Sequence, residues 1–198
     1  MTISSVKTGA IGDSLLAGNP GYDPAAMFLI QRVTAVGGET SINFTSIPQT
    51  YKHLQIRGIA KDTYVTGSGE STTTLITFNS DTANNYASHA LRGDGTTASG
   101  QRAASTASMD RIIGSIFGSA TSIYGASIAD IHDYTSTTRN KTVRGFSGGD
   151  MNSGNTNSNL TLGSGLWVNT SAITSIQIKA VVTAFAAGST FALYGMVG

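Results

Sequence analysis

Residues 185–197 read FAAGSTFALYGMV, and residues 28–58 read FLIQRVTAVGGETSINFTSIPQTYKHLQIRG. The first has the make-up of a strand bounded by small residues that returns to a core. The second has that of a pair of opening strands and a third that follows. At its end and just beyond, Leu54, Ile56, Gly58 and Ala60 alternate with His53, Gln55, Arg57 and Lys61, the period of two that a half-buried strand requires. Residues 173–183 repeat the pattern, with Ile176, Ile178, Ala180 and Val182 on one face and Gln177, Lys179 and Thr183 on the other.

Working outward, further strands are expected at residues 28–36, 41–47, 73–79, 85–91, 111–117, 122–132, 141–146, 160–168 and 190–197. A short helix near residues 103–109 is an option the fold does not need. No alternating helices are present to serve as parallel crossovers. The expected fold is therefore all-β, an antiparallel two-sheet sandwich of jelly-roll type. Gly37-Gly38 and Asp94-Gly95 supply the left-handed turn conformations between strands. Residues 1–26 carry Gly9, Gly12, Gly18, Pro20, Gly21 and Pro24. That density of breakers makes them an extended N-terminal arm (1–26) before the sandwich domain (27–198).

Composition narrows the function classes. The chain has 198 residues, enough for one sizeable core, and only 12% of them are charged while 24 are glycine. A formal net charge of +1 gathers neither nucleic acid nor an acidic membrane surface. No cysteine is present, which excludes disulfides and thiolate metal sites. The first residues lack a basic start followed by a long apolar stretch, so no export signal is expected. The longest apolar stretch, near residues 180–187, falls far short of the roughly 20 residues of a membrane helix, so no membrane insertion is expected.

Three linked segments carry a family resemblance: SINFTSIPQTYKHLQIRGIAK (41–61), TLITFNSDTANNYASHALRGDGTTAS (74–99), and GLWVNTSAITSIQIKAV (165–181) followed by AAGSTFALYGMV (186–197). Over residues 28–198 the chain resembles tailed-phage virion structural proteins of the tail-fibre type, many from phages of aquatic bacteria. The resemblance implies a β-sandwich that acts by assembly in the virion, put together in the host cytoplasm, often as a homotrimer. The leading expectation is a tail fibre or fibre-like module that contacts the host. A capsid decoration or cement protein is the alternative. The expected partners are further copies of itself, other virion proteins through the arm, and a host surface glycan. The arm is outside the shared pattern.

Enzyme readings are weaker. Gly12-Asp13-Ser14-Leu15 matches the nucleophile block of a serine esterase family, but a serine also needs a base and an oxyanion hole. The only close Asp and His, Asp130 and His132, have the wrong spacing and position for that family. Asp62, Glu70 and Asp81 are carboxylates that a polysaccharide depolymerase would need to bring together. Arg92-Gly93-Asp94 spells an integrin-recognition tripeptide, and a hairpin turn accounts for it equally. His53, His89 and His132 share no ligand spacing, although a three-fold axis could gather one from each subunit. Asp130 and Asp133 lack the spacing of a calcium loop. Asn43, Asn140, Asn159 and Asn169 open glycosylation sequons expected by chance in so Asn- and Ser-rich a chain. Residues 63–72 and 147–159 have the make-up of glycan-binding loops, while Trp167 reads as core or subunit interface. Ile59 and Val181 place apolar residues on the outer faces of strands, a surplus that identical copies can bury. No catalytic, cofactor-binding or metal residue is assigned, no cofactor is expected, and the protein is not read as an enzyme.

Overall fold

The computed structural model describes residues 27–64, 71–114, 116–117, 122–151 and 158–197. These form strands β1 (Met27–Thr34), β2 (Ser41–Phe44), β3 (His53–Ala60), β4 (Ser71–Thr72), β5 (Thr74–Phe78), β6 (Tyr86–Gly93) and β7 (Ala98–Thr106). They continue with β8 (Met109–Asp110), β9 (Ile116–Phe117), β10 (Gly125–Ile131), β11 (Lys141–Gly149), β12 (Asn159–Trp167), β13 (Ile176–Ala180) and β14 (Thr190–Met196). No helix occurs among the described residues, so none is long and apolar enough to cross a membrane. The arm of residues 1–26, with its Gly12-Asp13-Ser14-Leu15 block, lies outside the described residues.

All pairings are antiparallel, as expected, and they build a two-sheet sandwich. An eight-stranded sheet runs β1-β14-β3-β10-β11-β12-β6-β7, and a four-stranded sheet runs β2-β13-β5-β8. The first four strands of the large sheet and all of the small one make a jelly roll. If β1, β2, β3, β5, β8, β10, β13 and β14 are counted one to eight, the sheets read 1-8-3-6 and 2-7-4-5. The remaining four long strands are two insertions, the β6–β7 hairpin between β5 and β8 and the β11–β12 hairpin between β10 and β13. Both insertions add to the same edge, so one sheet doubles in width while the other stays narrow. The ribbon β4–β9 is a separate two-stranded piece.

The core lies between the sheets. Leu54, Ile56, Ile131, Val143, Phe191 and Leu193 from the large sheet meet Ile42, Phe44, Ile76, Phe78, Ile176 and Ile178 from the small one, and all are buried. Under the added strands only the short edge strand β8 of the small sheet and the irregular residues 111–114 that follow it fill the space. This segment, residues 109–114, lies so close that a Cβ at Gly145 would stand 1.9 Å from the Ile112 carbonyl oxygen and one at Gly163 2.4 Å from that of Arg111. At Gly165 it would meet the Met109 sulfur at 2.5 Å. Gly145 and Gly163 face each other in register across β11 and β12, so together they form a glycine floor for this segment. Arg111 takes a left-handed φ of 61°, which turns the chain over that floor.

Trp167 joins insertion to jelly roll. It packs edge-on to Phe78 at 5.6 Å between centroids and stacked on Tyr86 at 6.2 Å. Its indole N–H donates to the Asp81 carboxylate at 2.8 Å, and the Phe78 N–H donates to the Tyr86 hydroxyl at 3.1 Å. Its reading as core holds. Lys141 is also buried, its ammonium donating to the carbonyls of Ser136 (2.7 Å), Arg139 (2.8 Å) and Thr170 (3.0 Å), which closes the loop after β10.

Two local expectations are corrected. Residues 103–109 are not a helix: the first four end β7, which pairs with β6 along one edge with a bulge at Ser105, and a bend leads into β8. Residues 111–117 are not one strand, because 111–114 bend over the glycine floor and only Ile116–Phe117 pair. The turn readings hold: Gly37, Gly38 and Gly95 all have positive φ.

Candidate interaction surface

The outer face of the large sheet is built row by row from strand register. One row runs Arg32, Ala192, Arg57, Ile128, Phe146, Leu162, Leu91 and Gly100 across the strands from β1 to β7. Two residues along in one direction the row is Thr34, Thr190, Ile59, Ala126, Gly148, Leu160, Gly93 and Ala98. Two residues along in the other, three on β1 because of its bulge between Leu29 and Gln31, it is Leu29, Tyr194, Gln55, Asp130, Arg144, Ser164, His89 and Arg102. Ile59, Leu91, Leu160 and Leu162 are each more than half exposed, and Phe146 is nearly so. These five side chains and Ile128 make a continuous apolar stripe.

The glycine floor explains why the stripe faces outward. On β12 the inward positions are Asn159, Thr161, Gly163 and Gly165, and the leucines at 160 and 162 take the alternate, outward positions. On β11 the inward positions are Val143, Gly145 and Ser147, leaving Arg144 and Phe146 outside. Small residues must face in where residues 109–114 pass, and the large ones are thereby turned to solvent.

Beside the stripe lies an ordered polar row. The Gln55 amide donates to Asp130 at 2.8 Å and its carbonyl accepts from the Arg57 Nε at 2.9 Å, while Arg144 stands 3.6 Å from Asp130. Arg57 also lies over the Tyr194 ring at 5.8 Å. Two shallow grooves result. One, of about 920 Å³, has Leu91 and Leu162 as its floor and His89, Arg102 and Arg144 as its sides. The other, of about 530 Å³, lies over Ile59 and Ile128 between Arg32, Arg57 and Tyr194.

At one pole of this face His53 and His132 meet with ring centroids 5.2 Å apart. The Asp133 N–H donates to the His53 Nδ1 at 3.0 Å, and the Asp133 carboxylate pairs with Lys52 at 2.5 Å and Arg139 at 2.6 Å. Burial pulls the His53 pKa below the ordinary value, the neighbouring His132 and Lys52 pull the same way, and Asp133 and Asp130 oppose. A histidine whose folded pKa is depressed binds protons more readily when unfolded. Stability is then fully present above the unfolded value of about 6.5 and is lost as pH falls from there through the folded value. Melting temperature measured from about pH 7.5 to about pH 5 should fall more for the native protein than for His53→Asn, whose amide accepts the same bond without titrating. Parallel curves would remove His53 from the linkage.

The other candidate residues are not brought together. His89 lies on the outer face, several strands from the His53–His132 pair, and no group of three or more metal-ligating residues occurs among the described residues. Asp62 is buried, accepting from the Tyr64 N–H (2.6 Å) and the hydroxyls of Thr72 and Thr183. Asp81 is committed to Trp167, Asn85 and the Ala83 N–H. Glu70 lies outside the described residues, as do residues 65–70 and 152–157 of the two proposed loops. Asp94 accepts from the Thr96 and Thr97 N–H groups at 2.9 and 2.7 Å, so the Arg-Gly-Asp sequence belongs to the β6–β7 turn. Asp130 and Asp133 are spent on cationic and amide partners. Of the two residues read as outward apolar surplus, Ile59 lies in the stripe, and Val181 is exposed beyond β13. The rest of the stripe is a site that sequence reasoning missed, and its one readable signal was the large apolar content of the outward positions in β12.

Comparison of the chain with protein-family models, with curated proteins and with solved structures finds no match.

Proposed function

We propose that the protein is a structural component of a tailed-phage particle, a tail-fibre or fibre-like module that attaches through residues 1–26 and works by surface contact, not by turnover. The observation that carries this reading is the wide jelly-roll sheet with its exposed apolar stripe, a rigid scaffold whose most developed surface is built for packing. The sequence resemblance over residues 28–198 supplies the particle. Jelly rolls serve widely in viral shells and in lectins, which agrees with the reading by analogy of fold alone.

The test is made on particles of the phage that encodes the chain. Antibody to the protein should label the tail in electron micrographs. Particles assembled with a copy lacking residues 2–26 should lack the protein, although the shortened chain still folds. Label spread over the head would replace the fibre reading by head decoration, and particles without label would reject both.

A further inference from the structure

We infer that the outer face of the eight-stranded sheet is covered by the same face of a second copy of this chain, sheet against sheet. The inference stands on the geometry of the face and does not depend on the particle reading. Its first support is area. Eight strands at a spacing of about 4.8 Å and three fully paired rows give a face of about 34 by 20 Å, or about 700 Å². That approaches the roughly 800 Å² per partner of a standard stable interface.

Its second support is the kind of surface. The stripe is aliphatic, with three leucines, two isoleucines and one phenylalanine among Ile59, Leu91, Ile128, Phe146, Leu160 and Leu162. Branched aliphatic rows on a pleated sheet interdigitate with another such row at about 10 Å, the packing of sandwich interiors. Sugar rings favour flat aromatic platforms, and here Tyr194 is already engaged by Arg57. Of the other large apolar residues that are exposed, Met27 and Leu29 lie in β1 at the edge of the same sheet, and Val36, Val168, Val181 and Val182 lie outside the strands. Among the described residues no second stripe of this kind occurs, and matching this one with the same face of another molecule gives a closed two-fold contact.

Charge gives the contact a signature. The three rows of the face carry Arg32, Arg57, Arg102 and Arg144 against the single acid Asp130. Two such faces repel at their rims, so salt that screens the rims tightens the contact. An anionic partner would show the reverse dependence.

The experiment is sedimentation velocity on the full chain at tens of micromolar, in low and in high salt. The expected result is a dimer whose dissociation constant tightens several-fold as salt rises from about 50 to about 500 mM. The double variant Leu91→Asp/Leu162→Asp should be monomeric with unchanged circular dichroism, because both positions are exposed. If that variant misfolds, Leu162→Ser alone should weaken the dimer at least tenfold. A monomeric native chain, a dimer indifferent to these substitutions, a dimer loosened by salt, or the trimer that the sequence resemblance implies would each overturn the inference.

Discussion

Gly145→Ala is expected to lower the melting temperature by about 10 °C or more, or to leave no folded protein at all. The added Cβ would sit 1.9 Å from the Ile112 carbonyl oxygen and 2.8 Å from its carbonyl carbon. These are backbone atoms, so no rotamer change can relieve the clash. Either β11 leaves its place between β10 and β12, or residues 109–114 lift off the floor. Overpacking of an ordinary core costs about 1–3 kcal/mol, and an obstacle of backbone puts this case above that range. For a chain of this size each kcal/mol is about 2–4 °C. Gly100→Ala is the control. Gly100 also lies in a strand, but nothing stands within 4 Å of a Cβ built there, so the change should stay within about 0.5 kcal/mol. Equal melting temperatures for the two variants would show that residues 109–114 do not rest on the glycine floor.

Trp167→Ala should destabilise the fold by about 3–5 kcal/mol, the cost of emptying a site for a large buried aromatic. The indole fills the junction where β12 and β6 of the insertions meet β5 of the jelly roll, against Phe78 and Tyr86. It also supplies one of the hydrogen bonds that hold the Asp81 carboxyl below its ordinary pKa, after those from Asn85 and Ala83. Trp167→Phe keeps much of the packing and removes that bond, so its cost should be about 1–2 kcal/mol. The chain has one tryptophan, so these variants lose its emission and unfolding must be followed by far-ultraviolet circular dichroism in denaturant. In the native protein that single buried indole reports the junction directly. A loss under 1 kcal/mol for Trp167→Ala would show that the insertions are not coupled to the jelly roll through this cluster.

The jelly-roll strands were legible because most of them obey the simple rule of one buried face. β3 and β13 alternate as expected, with Leu54, Ile56, Ala60, Ile176, Ile178 and Ala180 buried, but β13 ends at Ala180 and leaves Val182, expected on the same face, exposed. The insertions break the rule for a tertiary reason. On β12 Leu160 and Leu162 face solvent and Gly163 and Gly165 face in, because residues 109–114 occupy the interior. Periodicity alone would turn that strand over. β7 was missed because Ala98, Ser99, Gly100 and Gln101 show no alternation, and an edge strand largely exposed on both faces has no reason to alternate. Residues 111–117 looked like a strand because Ile112 and Ile113 are apolar, yet both are buried by bending over a floor that only the fold reveals. The outer stripe was legible at Ile59, a large apolar residue on the polar side of a clear strand. Its continuation through Phe146, Leu162 and Leu91 depends on which strands are neighbours, and that order arises from two hairpins joining the same edge.

Because β1 lies against β14 with Met27 opposite Met196, the chain enters and leaves the sandwich at one pole. Tension between residues 27 and 196 peels the two strands apart one hydrogen-bonded pair at a time, so it meets little resistance. Tension between residue 27 and the opposite pole at residue 190, the far end of the neighbouring β14, loads the whole β1–β14 ladder in shear and must break its bonds together. A domain held at residue 27 and pulled from its far end is therefore in its mechanically strong orientation.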